Sequence, residues 1–170
     1  MNVLAIAGSL RKASFNRMLV RIAAEVAPMP VRIFDDLASI PLFNEDIEDP
    51  EPLAVRRLRD EVAAADGLLI STPEYNWSMP GVLKNAIDWL SRPPREVLIA
   101  KPIAIIGASG GRWGTRLAQA ALRQVLTATE SLVMPAPAMF VRDGLIDDAT
   151  RLQLASVLAS FKLWIENVRR

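Results

Sequence analysis

The chain of 170 residues contains no cysteine and no histidine. Without cysteine there is no disulfide, no thiolate nucleophile and no Cys-ligated zinc. Without histidine the commonest general base and metal ligand is missing, and with it the Ser/His and Cys/His arrangements of nucleophilic catalysis. An enzyme of this composition carries its chemistry on something other than a protein side chain, which points to a cofactor. No apolar run reaches the roughly 18 residues of a membrane-spanning helix. The opening MNVLAIA has no basic leader region and runs into Gly8, so it is expected to form a core strand rather than a signal peptide, in a soluble cytoplasmic protein. An excess of one charge is lacking too. Lys and Arg number 20 against 19 Asp and Glu, interspersed to a net charge of +1, unlike the clustered basic face of a nucleic-acid binder. Two nucleotide motifs are also absent: there is no G-x-x-x-x-G-K-[ST], and no G-x-G-x-x-G follows the first apolar run.

What is present is ordinary for one globular domain spanning 1–170, at 51% apolar and 23% charged residues. A chain of this length buries roughly 70% of its unfolded surface without staples. Short apolar runs alternate with helical patterns. Val3 to Ala7 has the look of a strand buried on both faces, and Phe15, Leu19, Ile22 and Val26 form the stripe of an amphipathic helix. Val31 to Phe34 is a second strand. The segment 38–52, with three prolines and five carboxylates, is a loop. A helix over 53–65, a strand over 67–71, a helix over 83–90, a strand over 102–107 and a helix over 115–127 follow. The segment 131–141 is apolar but interrupted by Pro135 and Pro137, which suits a short or broken last strand. Leu154, Leu158, Phe161 and Ile165 mark a closing helix, with Asp147 or Asp148 as its cap.

Strand and helix alternating in this way predict a three-layer α/β sandwich: a five-stranded parallel sheet with helices on both faces. In the order 2-1-3-4-5 the chain reverses between strands one and three, and ligands bind at the carboxyl ends of the strands flanking that point. The loop after Ala7 combines a helix N-terminus with Ser9, Arg11, Ser14 and Asn16, the makings of a phosphate site. The same residues could form only a polar turn, with Ser14 capping the helix. The loop after Ser71 holds two prolines with Tyr75 and Trp77, an edge on which a flat heteroaromatic ring could rest. Those aromatics could equally pack against the protein or a second subunit, and for Trp89, within a helix, packing is the better reading. The third loop, 109–114, has glycines that allow close backbone approach, or that merely close a corner.

GSLRKASFN at 8–16, PEYN at 73–76 and LKNAIDWL at 83–90 closely resemble the NADPH-dependent FMN reductase family, which includes bacterial quinone, chromate and azo-dye reductases. SGGRWGT at 109–115 and LRQVL at 122–126 extend the likeness. The resemblance implies a flavodoxin-like fold with FMN phosphate in the first loop, held by Ser9, Arg11, Ser14 and Asn16, with Phe15 among them. It implies an isoalloxazine edge along Pro73, Glu74, Tyr75, Asn76 and Trp77, with Ser109, Gly110 and Gly111 on the other side. NADPH or NADH would be the electron donor, a quinone, flavin, azo compound or chromate the acceptor, and the protein a homodimer or homotetramer. Trp77, Trp89 and Trp113 are candidates for that contact. Arg112 would lie near the donor's phosphates or simply be exposed. One departure stands out: the family often has an arginine where this chain has Leu117, with Arg116 one residue earlier, so that arginine's contacts do not carry over. The competing reading is an FMN-binding electron carrier that docks a protein partner, for which a near-neutral chain offers little of the one-signed surface needed.

Overall fold

The computed structural model describes residues 1–94 and 96–169. The strands are β1 (Val3–Ala7), β2 (Val31–Phe34), β3 (Gly67–Ser71), β4 (Pro102–Ala108), β5 (Leu132–Val133) and β6 (Met139–Val141). The helices are α1 (Phe15–Val26), α2 (Leu53–Ala64), α3 (Gly81–Leu90), α4 (Arg116–Ala128) and α5 (Asp148–Val168). Every strand pair is parallel, in the order β2-β1-β3-β4, with β5 and β6 both along the free edge of β4. The expected 2-1-3-4-5 order is therefore present, with the fifth position filled by two short segments.

The break in that edge has a local cause. Val133 lies opposite Ile103, so an unbroken ladder would set Ala136 opposite Ile106, yet Met139 stands there instead. Pro135 and Pro137 cannot donate to a ladder, and the chain loops out between the two segments.

Alternation along the strands sends successive residues to opposite faces. Val3, Ala5, Leu69, Ala104 and Ile106 pack under α1 and α5, while Leu4, Ile6, Leu68, Ile70, Ile103 and Ile105 pack under α2, α3 and α4. The central strands are apolar on both faces because helices cover both. Gly67 marks how closely α5 lies on the sheet: a Cβ there would come within 2.8 Å of Ile165 and 2.9 Å of Phe161.

The helix ends follow the expected chemistry with small shifts. Ser14 Oγ caps α1 by accepting from the N–H groups of Asn16 and Arg17. Asp147 caps α5 by accepting from Thr150 N–H at 2.9 Å, which decides between the two candidate aspartates. Helix α3 starts at Gly81, earlier than apolar spacing indicates, directly after Pro80. The 38–52 loop is interrupted by two single turns of 3₁₀ helix, Leu37–Ser39 across its start and Glu45–Ile47 within it. It is tied to α3 by Asn85 and by the Trp89 indole N–H, both donating to Pro41 O at 2.8 Å. Trp89 is 1% exposed, with Phe43 edge-on at 5.0 Å, so it belongs to the core and not to an outer surface.

Candidate functional site

Three loops meet at the carboxyl ends of β1, β3 and β4: residues 8–14, 72–80 and 109–115. Their mutual position depends on one side chain. Asn16, in the first turn of α1, is buried and reaches across the sheet. Its Oδ1 accepts from Ser71 Oγ at 2.8 Å and from Ala108 N–H at 2.9 Å, and its Nδ2 donates to Ala108 O at 2.8 Å. The ends of β3 and β4 are thereby pinned to the start of α1. The amide oxygen and one of the two amide N–H groups are taken by the protein, so Asn16 shapes the first loop through these bonds.

Within the first loop, Gly8 N–H donates to Ser71 O at 2.8 Å, continuing the β1–β3 ladder. Ser9 is buried and its Oγ accepts from Arg11 N–H at 3.4 Å. Ser14 is also buried; having accepted from the α1 amides, its hydroxyl keeps a proton to donate. Arg11 is exposed, with its guanidinium 5.4 Å from the centre of the Phe15 ring. Phe15 is half-buried and fills the space above Gly144, where a Cβ would fall 2.3 Å from its Cζ. No carboxylate lies in the first turn of α1, so nothing neutralises the positive end of that helix dipole. That donor set suits a phosphate.

The second loop is a small hairpin. Tyr75 and Ser78 exchange both backbone hydrogen bonds, at 2.9 and 3.0 Å. The two residues at the tip, Asn76 and Trp77, both have positive φ, 49° and 64°. This is the twist a two-residue hairpin demands, and for a tryptophan it costs about 1 kcal/mol. Tyr75 and Trp77 are 51% and 78% exposed, while Pro73 is buried at the base. Glu74 points elsewhere. Its Oε2 accepts from the N–H groups of Leu117 and Ala118 at 2.9 and 3.0 Å. Helix α4 has no side-chain cap from its own Thr115, so Glu74 supplies one from 43 residues away. Glu74 thus ties the second loop to the helix that follows the third.

In the third loop, Ser109 Oγ accepts from Gly111 N–H at 3.1 Å and lies 3.0 Å from Gly114 O. A Cβ on Gly110 would meet nothing within 4 Å, and one on Gly111 only Ser109 Oγ at 3.7 Å. Nothing in the protein requires glycine at these two positions, and the open space beside them is room for a ligand. Gly107 contrasts sharply, since its Cβ would sit 2.1 Å from Thr115 Oγ1 and 2.5 Å from Thr72 O. Arg112 is exposed, with its guanidinium 4.8 Å over the Trp113 ring. Arg116 has its guanidinium 5.6 Å over the Phe140 ring, and Leu117, where the family often has an arginine, is half exposed.

Sequence reasoning therefore located all three loops but not the internal bonds between them. It missed Ser71 and Thr72, buried polar residues at the end of β3, and the bridging roles of Asn16 and Glu74. A buried polar cluster at a strand end was the available signal for the first pair. For the bridges there was none, because their partners lie 43 to 92 residues distant.

Fold and site together define a flavodoxin-like α/β protein with a serine- and arginine-bearing helix-start loop beside an aromatic and a glycine-lined loop. The family model described as NADPH-dependent FMN reductase matches residues 1–144, and the chain belongs to that family of FMN-dependent NAD(P)H oxidoreductases. It is 44% identical over 178 aligned positions to an NAD(P)H-dependent FMN reductase of Pseudomonas aeruginosa, covering 98% of this chain and 96% of the relative. It is 38% identical to a 2-hydroxy-1,4-benzoquinone reductase from a Burkholderia species, covering 99% and 98% respectively. Among solved structures it is similar to FerB, a flavoenzyme NAD(P)H:(acceptor) oxidoreductase from Paracoccus denitrificans, with TM-score 0.90, 34% identity, and 98% and 97% coverage. Among the described residues no helix is long and apolar enough to cross a membrane.

Proposed function

We propose that the three loops hold FMN and that this protein uses NADPH or NADH to reduce a small acceptor, with quinones as the representative class. The observation carrying this reading is the pairing of a carboxylate-free helix start flanked by Ser9 and Arg11 with open, glycine-lined space across the site. The names of the full-length relatives, FMN reductase and benzoquinone reductase, support it.

Bound FMN would supply the redox chemistry, taking hydride from the nicotinamide and passing electrons to the acceptor. The work of this chain is to bind and orient. Ser9, Arg11, the Ser14 hydroxyl and the amides at the start of α1 meet the phosphate. Asn16 and Phe15 hold that loop in shape. The backbone of 73–77 presents polar groups to the ring edge, Tyr75 and Trp77 its apolar surface, and Gly110 and Gly111 let the main chain approach from the other side. No side chain is assigned as acid, base or nucleophile. The single domain is cytoplasmic and forms a homodimer or homotetramer, with exposed Trp77 and Trp113 as candidates for the contact.

The test is anaerobic mixing of the flavin-loaded protein with NADPH or NADH. The flavin absorbance should bleach, and a quinone should restore it. An electron carrier would bleach little with either nucleotide, which would overturn the reading. Donor and acceptor using one open face in turn should give parallel steady-state lines; intersecting lines would count against that order.

A further inference from the structure

On the far flank of the first loop, towards β2, lies a cavity of about 110 Å³ that shares only Ser9 and Leu10 with the three loops. Its floor is apolar, with Val20 and Phe34, and its rim is charged: Arg17 and Arg21 from α1, and Asp35 immediately after β2. Ser9 lines it as well, so it is continuous with the phosphate loop. Arg17 and Arg21 are one helical turn apart on the same side of α1. Arg57, Arg59, Arg92 and Arg151 each lie within 4 Å of a carboxylate. Among the described residues, Arg17 and Arg21 form no such ion pair, as is also true of Arg11, Arg32, Arg112, Arg116, Arg123 and Arg142. What sets Arg17 and Arg21 apart is that both line one cavity, together with Asp35.

We propose that this cavity takes the phosphorylated adenosine end of the donor nucleotide, with Arg17 and Arg21 on the 2′-phosphate and Asp35 on a ribose hydroxyl, making NADPH the preferred donor. Guanidinium groups match phosphate oxygens in two-pronged hydrogen bonds, and two of them outweigh one carboxylate at the rim. In the dinucleotide-binding α/β fold of strand order 3-2-1-4-5-6, an acidic residue beyond the first helix meets a ribose hydroxyl and a nearby arginine accommodates a 2′-phosphate. In the different order 2-1-3-4-5 of this chain, the same residue types line the cavity beside β2. The apolar floor offers surface for the base. The cavity is also within reach. From β4, beside the glycine loop, to β2 is three strand spacings, about 14 Å, which an extended dinucleotide spans.

The inference rests on the FMN and NAD(P)H reading, and the test separates the two. The direct probe is adenosine 2′,5′-bisphosphate, titrated calorimetrically into the FMN-loaded protein, with 5′-AMP as comparator. The bisphosphate should bind on the order of tenfold tighter than 5′-AMP, and Arg17→Ala/Arg21→Ala should abolish that difference. In steady state the same double variant should raise KM for NADPH relative to KM for NADH by a similar factor. Arg21→Glu, at an exposed position, should do the same with the melting temperature as a check on folding. Equal binding of the bisphosphate to wild type and double variant would overturn the subsite, even if flavin reduction proceeds normally. Failure of both nucleotides to bleach the flavin would instead overturn the functional reading, and the calorimetry would still decide the subsite.

Discussion

Replacing Asn16 by alanine removes three buried hydrogen bonds at once and tests whether one amide holds the three loops together. The groups left behind are Ser71 Oγ, Ala108 N–H and Ala108 O, all at the buried ends of β3 and β4. A buried polar group deprived of its partner costs about 1–3 kcal/mol. The serine hydroxyl can rotate, so it counts at the low end, while the two backbone groups cannot. The expected loss is therefore about 3–6 kcal/mol, against a total stability of about 5–15 kcal/mol. With a urea m-value of about 2 kcal/mol/M, the midpoint should fall by about 1.5–3 M. Tryptophan fluorescence under equilibrium urea unfolding reads this directly, and an FMN titration of the folded variant reads the loops. FMN affinity should fall together with the midpoint. Asn16→Asp sharpens the test. It keeps an acceptor for Ser71 and Ala108 N–H, but sets a second carboxylate oxygen against Ala108 O, where the amide now donates. It should also be destabilised. A midpoint shift below about 1 M in both variants would show that the stranded groups find other partners, and the clamp argument would fail.

Glu74→Ala should leave the N–H groups of Leu117 and Ala118 uncapped, at a cost of about 1–2 kcal/mol. Because Glu74 ties the second loop to α4, FMN affinity should weaken by on the order of tenfold. Unchanged flavin quenching in a fluorescence titration would refute that tie. Gly107→Ala should lower the melting temperature by several degrees or prevent soluble expression, since its Cβ has no room beside Thr115 and Thr72. Adding Thr115→Ala should not rescue it, because the 2.5 Å contact is with Thr72 backbone oxygen. The Asp147 carboxyl is held below its ordinary 3.8, first by the backbone N–H of Thr150 and then by the Thr150 hydroxyl. Its cap on α5 therefore contributes fully above that value and is lost as pH falls through the lower value of the folded state. Urea midpoints measured from about pH 5 down to about pH 2 should drop less steeply for Asp147→Asn, which still caps but does not titrate.

Apolar periodicity and a few motifs along the chain suffice for the layers of this protein and for the positions of its three loops. Val3–Ala7 is apolar throughout and Gly67–Ser71 is apolar between its end residues, and a strand covered on both faces permits little else. Ser14 and Asp147 announce their helices because a cap acts on amides two or three residues away. The GSLRKASFN and PEYN motifs brought the family resemblance, and the family match over 1–144 agrees with it. Tertiary structure alone decided where the polar side chains of those motifs point. Asn16 stands in a loop of hydroxyls and exposed cations, yet its amide oxygen and one amide N–H turn inward to Ser71 and Ala108. Glu74 stands in a flavin-edge motif, yet its carboxylate caps α4. That Arg17 and Arg21 share a cavity with Asp35 depends on the packing of β2 against α1. A hydrogen-bond donor or acceptor takes the nearest partner in space. In a parallel sheet that partner belongs to a neighbouring strand, a crossover or more away along the chain.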